Sequence, residues 1–120
     1  MKKIDKFLSK LILNFNLSKK YYDLYIEHNK KFIYARILKK VNKNIRNILI
    51  NDCYLMPYEL HSDTLKLIEH YDIWLENWNY LYNTNRNIKL NDEFVFQNEH
   101  MFPKKSEQNI INLFNKKTKE

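Results

Sequence analysis

No glycine occurs anywhere in the 120 residues of this chain. Glycine is the residue that enters left-handed backbone without steric cost and lets backbone approach a ligand closely. Its absence removes the phosphate-cradling and dinucleotide-binding loops, and with them the usual nucleophile elbow. Tight two-residue hairpins would have to be built from Asn and Asp alone, and the adjacent pairs available are Asn51-Asp52 and Asn91-Asp92. An all-β fold is therefore disfavoured relative to helices, whose interiors have no need of glycine.

The length fits one domain, residues 1–120, with a core that needs neither disulfide nor metal. Cys53 is the single cysteine, so an internal disulfide or a cysteine-paired zinc site is excluded and an intracellular, cytoplasmic setting is expected. The start Met1-Lys2-Lys3 is basic, but Lys10 and Asn14 interrupt the apolar run after Phe7 and no small-residue cleavage site follows, which argues against a signal peptide. No run approaches the ~20 apolar residues of a membrane-crossing helix.

Apolar periodicity predicts an all-α fold, a bundle or orthogonal array of about four main helices. Ile4, Phe7, Leu8, Leu11, Ile12 and Phe15 mark a first amphipathic helix ending near Asn16. Ser18 then offers a cap for a second helix, whose stripe Tyr22, Ile26, Ile33, Ile37, Val41, Ile45 and Ile48 runs to about Ile50 as a spine of ~45 Å, a length that leaves room for a break near Asn29. Pro57 suits the first turn of a short helix. Ser62 or Asp63 is placed to cap the next long one, carrying Leu67, Ile68, Tyr71, Trp74, Leu75, Trp78, Leu81 and Tyr82 as the centre of the core. Residues 83–91 read as an Asn-rich loop, and Phe94, Val95 and Phe96 as a short extended segment. Pro103 opens a final helix through Ile110, Ile111, Leu113 and Phe114, with a frayed tail over 116–120.

Charge is sorted along the chain, at +10 over residues 1–50, −6 over 51–100 and +3 over the last twenty. Arg36, Lys39, Lys40, Lys43 and Arg46 share one broad side of the second helix, a basic ridge able to contact phosphates. Glu69, Asp72 and Glu76 form the opposite row on the Trp74 helix. In an antiparallel hairpin the two rows can pair with each other, which would account for the sorting without a ligand. Tyr58, Tyr80, Tyr82 and Trp74 do not fit one narrow stripe, so at least one of them is expected to be exposed, and Tyr58 and Tyr80 are candidate contact residues.

The four histidines, His28, His61, His70 and His100, lack the spacing that puts two ligands on one helical face, and no metal or cofactor motif is present. His61, Ser62 and Asp63 are neighbours in sequence, but helix capping explains them more simply than a nucleophile with its base. The expectation is a non-catalytic helical interaction protein, a small accessory or regulatory subunit that binds another macromolecule, most readily a protein, through a charged face. The alternative is a sequence-nonspecific nucleic-acid-binding module using the basic ridge. Peripheral membrane contact through the Lys-rich first helix and a small enzyme site built from Glu69, His70 and His100 stand behind these, and no small-molecule substrate is indicated.

Overall fold

In a computed structural model, which describes residues 2–96 and 101–119, four helices account for most of the chain. They are α1 (Lys3–Glu27), α2 (Phe32–Asp52), α3 (His61–Asn83) and α4 (Lys104–Thr118), with single 3₁₀ turns at Cys53–Leu55 and Tyr58–Leu60. No strand is present among the described residues. The molecule is elongated, 49 × 22 × 22 Å, because α1, α2 and α3 run side by side over most of its length.

The predicted bundle is present, but the first boundary lies elsewhere. Ser18 caps nothing: it sits in the middle of α1, which continues to Glu27. The break comes at residues 28–31, where Asn29 and Lys30 adopt φ of 60° and 55°. The Lys30 N–H donates to the Tyr25 carbonyl at 2.8 Å, the six-to-one bond of a Schellman-type ending, with Asn29 in the left-handed position that glycine ordinarily fills. A left-handed lysine is strained, and it is held from both sides, since the Phe94 N–H donates to its carbonyl at 2.8 Å.

The first N–H groups of α2 have no partner within their own helix. Phe32 and Ile33 donate theirs to the carbonyls of Asp92 and Leu90, at 2.8 and 3.0 Å. Segment 88–96 thus folds back as a strap over the α1–α2 turn, with an isolated antiparallel bridge between Lys31 and Glu93. The Tyr25 hydroxyl donates to the Phe94 carbonyl and accepts from the Phe96 N–H.

Neither Ser62 nor Asp63 caps α3, whose N-cap position is Leu60, with Pro57 preceding the 3₁₀ turn before it. Asp63 ties α4 to α3 instead, accepting from Ser106 Oγ at 2.9 Å and Asn109 Nδ2 at 3.3 Å. Pro103 stands at the N-cap of α4, and that helix reaches Thr118.

The core divides into two clusters. One, towards the chain termini, holds Phe7, Leu8, Leu11, Phe15, Ile45, Leu49, Leu67 and Ile110 among others. The second holds Tyr25, Phe32, Ala35, Leu38, Trp74, Trp78 and Phe94. Ser18 Oγ donates to the buried Asn42 Oδ1 at 2.6 Å, joining α1 to α2. Ser18→Ala strips that acceptor of its donor and is expected to cost about 1–3 kcal/mol in denaturant unfolding, whereas Ser18→Ala combined with Asn42→Leu restores most of the loss. Equal losses in the single and double variants would show that the bond carries no weight.

Glu107, half-buried on α4, has its carboxyl pushed above the ordinary value of 4.5 by burial, an effect that Lys19 of α1 opposes. The folded state therefore binds this proton more tightly than the unfolded state, and the penalty for the buried charge is present at neutral pH and fades as pH falls towards 4.5. Glu107→Gln is expected to raise the Tm at pH 7, with the gap to the parent protein closing as pH approaches 4.5. A gap that stayed constant over that range would contradict the assignment.

Candidate interaction surfaces

α3 lies beside α2, and this neighbour divides the basic ridge. Arg46 points into the seam, its Nε 2.8 Å from Asp72 Oδ1, with both side chains still partly open to solvent. An exposed pair of this kind contributes ~0–1 kcal/mol and sets alignment more than stability. Lys39 turns inwards as well: its ammonium lies 4.4 Å from the centroid of the Trp78 ring, a cation–π contact. Burial, and then the charge of Lys43, lower the pKa of Lys39.

Arg36, Lys40 and Lys43 remain exposed. At i, i+4 and i+7 they form one row, and the only acidic residue of α2 is Asp52 at its end. The ridge of five is thus an outer row of three cations and two side chains that contact α3.

The outer face of α3 has the opposite character. Leu65, Glu69, Glu76 and Tyr80 follow one another at four, seven and four residues, so they share a stripe directed away from the core residues Leu67, Trp74 and Trp78. Tyr80 is 74 % exposed and Leu65 65 %, while Tyr58, on the 3₁₀ turn leading into α3, is 85 % exposed. Tyr58 and Leu65 line a shallow depression with Glu59, His61, Ser62, Glu69 and one cation, Lys66. Trp74 is buried and Tyr82 partly so, stacked on Phe32 at 5.8 Å. The two candidate tyrosines are therefore in solvent, whereas Trp74 and Tyr82 belong to the packing.

Leu65 was not among the residues the sequence singled out. Its signal was present: it lies about 160° around the helix from Leu67, opposite the Leu67–Trp74–Trp78 stripe. Tyr54, 68 % exposed on the preceding turn, had no periodic pattern to reveal it.

The histidines do not converge. His28 stacks on Tyr34 at 4.9 Å, and His61 Nε2 lies 2.8 Å from the Met56 carbonyl. His70 is buried edge-on to Phe102 and Tyr71, at 4.9 and 5.2 Å. His100, the remaining member of the Glu69, His70 and His100 set, lies outside the described residues. Among the described residues no three His, Cys, Asp or Glu side chains are grouped so as to hold a metal ion.

The apolar side of α1 that could face a membrane, Phe7, Leu8, Leu11 and Phe15, is buried in the core. No described helix is long and apolar enough to cross a membrane. No protein-family model matches the chain, and no curated protein or solved structure matches it either.

Proposed function

We propose that this protein is a non-catalytic interaction protein, a small accessory or regulatory subunit that binds a basic protein surface through the outer face of α3 and the turn before it. The observation that carries this reading is the presence of Tyr58, Leu65 and Tyr80 in solvent along a face that also bears Glu59, Glu69 and Glu76. Tyrosine brings a large rigid area with a polar tip, and such side chains dominate interface energetics when a partner covers them. The carboxylates would steer a basic partner and fix its orientation.

The test replaces Tyr58 and Tyr80, one at a time, by a photo-crosslinking phenylalanine derivative in the native host, with Lys20 on the far side of α1 as control position. One adduct of the same mass is expected from both tyrosine positions and not from Lys20. With the captured protein purified, Tyr80→Ala should weaken binding by about ten-fold or more, as truncating an anchor does. Adducts that are absent, or identical at all three positions, would end the proposal.

A second reading rests on the exposed row Arg36, Lys40 and Lys43 together with the net charge of +7. Three phosphate contacts on double-stranded DNA would give a salt dependence with a slope of about −2.7 in the log–log plot. Fluorescence anisotropy of labelled mixed-sequence DNA and RNA measures it directly. Binding that falls with salt and disappears when all three residues are replaced by Glu supports this reading, and no binding at low salt removes it.

A further inference from the structure

The outer surface of the α2–α3 pair carries two unlike rows side by side. Arg36, Lys40, Lys43 and Asn47 are exposed along α2, and Leu65, Glu69, Glu76 and Tyr80 along α3. The contacts of Lys39 and Arg46 mark the side of α2 that faces α3, and those of Asp72 and Tyr82 mark the side of α3 that faces α2. At about 100° of turn per residue, each row lies roughly 80–90° from its seam direction, on the side away from the core. Both rows therefore flank the seam and point the same way. Asp52 is the only acid of α2, and Lys66, on the flank of α3 away from the seam, is the only Lys or Arg of that helix. None of Arg36, Lys40, Lys43 and Glu76 forms an ion pair with a described residue.

α2 and α3 are antiparallel, and their register is set by Arg46 on Asp72 and Lys39 on Trp78. In that register Arg36 stands level with Tyr80, Lys40 and Lys43 with Glu76, and Asn47 with Glu69, each to within about 3 Å at 1.5 Å per residue. A twofold axis laid along the seam keeps every height and exchanges the two rows, so that α2 of each molecule covers α3 of the other. A twofold axis across the seam would instead lay cations on cations, which repulsion rejects.

We propose that this face pairs with the same face of a second copy of the chain, in a symmetric dimer whose axis runs along the α2–α3 seam. Lys40 and Lys43 of each copy meet Glu76 of the other, and Arg36 lies against the ring of Tyr80. Every contact occurs twice, as a twofold interface requires. Ile50, 42 % exposed on the seam side of α2, stands within about 4 Å of the height of Leu65 and adds an apolar contact at one end, as Tyr80 does at the other. The proposal rests on the reading of the outer face of α3 as the contact surface for a basic protein, and it names that protein as this chain itself.

The face is about 30 Å long and about 20 Å wide, from the 21 residues of α2 and two helix widths. That is roughly 600 Å² from each copy, at the small end of stable interfaces, so a Kd on the order of 1–100 μM is expected.

Sedimentation velocity of the purified protein, from about 1 μM to about 1 mM at low salt, measures it, and the dimer should weaken in about 0.5 M salt. Lys40→Glu and Glu76→Lys each place like charges opposite one another twice and should weaken the dimer at least ten-fold. Both positions are exposed, so the two variants should keep the parent Tm to within a few degrees. Mixed in equal amounts, the two variants can form a heterodimer in which both pairs are again of opposite sign, and its affinity should return to within about three-fold of the parent. A protein that stays monomeric over the whole range, a dimer indifferent to either reversal, or a mixture no tighter than its components would each overturn the proposal. The crosslinks from Tyr58 and Tyr80 separate this result from the broader reading: an adduct of twice the mass of the chain supports the dimer. An adduct of any other mass overturns the dimer and leaves the outer face of α3 as a surface for a different basic protein.

Discussion

Trp78→Ala is expected to remove about 3–5 kcal/mol of stability, the range for deleting a large aromatic from a packed interior. Few residues have more neighbours to lose. The Trp78 ring stacks with Tyr82 at 5.6 Å, lies 4.9 Å from Phe94 and 6.0 Å from Phe32, and has the Lys39 ammonium above it. These partners come from α2, α3 and the strap, so truncation loosens three segments at once. Against a typical total of ~5–15 kcal/mol, the loss brings the protein close to its unfolding threshold. Urea unfolding followed by far-UV circular dichroism measures it. A change below about 1 kcal/mol would mean that the aromatic cluster is decoration on a bundle held together at its other end.

That other end supplies the second large effect. Leu11 is completely buried, in the cluster with Phe7, Phe15, Ile45 and Leu49, and Leu11→Ala is expected to cost about 2–5 kcal/mol. Both tryptophans lie in the opposite cluster, so fluorescence sees one end of the molecule while circular dichroism sees all of it. Helices α1, α2 and α3 contribute side chains to both clusters, which couples them. In Leu11→Ala the two signals should therefore lose their native values at the same urea concentration. A fluorescence transition that stayed at its parent midpoint while the dichroism shifted would show that the ends unfold separately. The variant carrying both substitutions is expected to be unfolded without denaturant, since distant losses add.

Much of this architecture was legible because helical periodicity is a local property. The stripes through Phe7, Leu11 and Phe15, and through Leu67, Trp74 and Trp78, are buried as their spacing requires. What spacing left open was where one helix gives way to the next: it set the first boundary after Asn16 and allowed a break near Asn29, and the structure has only the second. The apolar pattern continues from α1 into α2 without interruption, and a chain without glycine has no ordinary marker for the break. The marker used is Asn29, in a chain where 17 asparagines make any single one uninformative. The partners of the α2 N-terminus, the carbonyls of Leu90 and Asp92, lie some sixty residues downstream and leave no trace in the local sequence.

The same limit applied to the candidate surfaces. Spacing placed Arg36, Lys39, Lys40, Lys43 and Arg46 on one broad side, but which of them stay in solvent depends on where α3 lies. Asp72 and Trp78 take Arg46 and Lys39 out of the row, and nothing in α2 itself announces it.

The bond between Ser18 and Asn42 has a further consequence, for correctness of assembly rather than for strength. Leucine and isoleucine faces are forgiving, and α1 could slide along α2 by one helical turn, about 5.4 Å, and still find apolar side chains opposite. After such a slip Asn42 would meet a different residue of α1, and its amide would be sealed in without its hydroxyl partner. A part-buried polar pair thereby acts as a key that fits one alignment, as a lone buried asparagine does in helical coils. Between α1 and α2, joined by only the four residues 28–31, that key works with the short connection against the neighbouring, nearly equivalent arrangements.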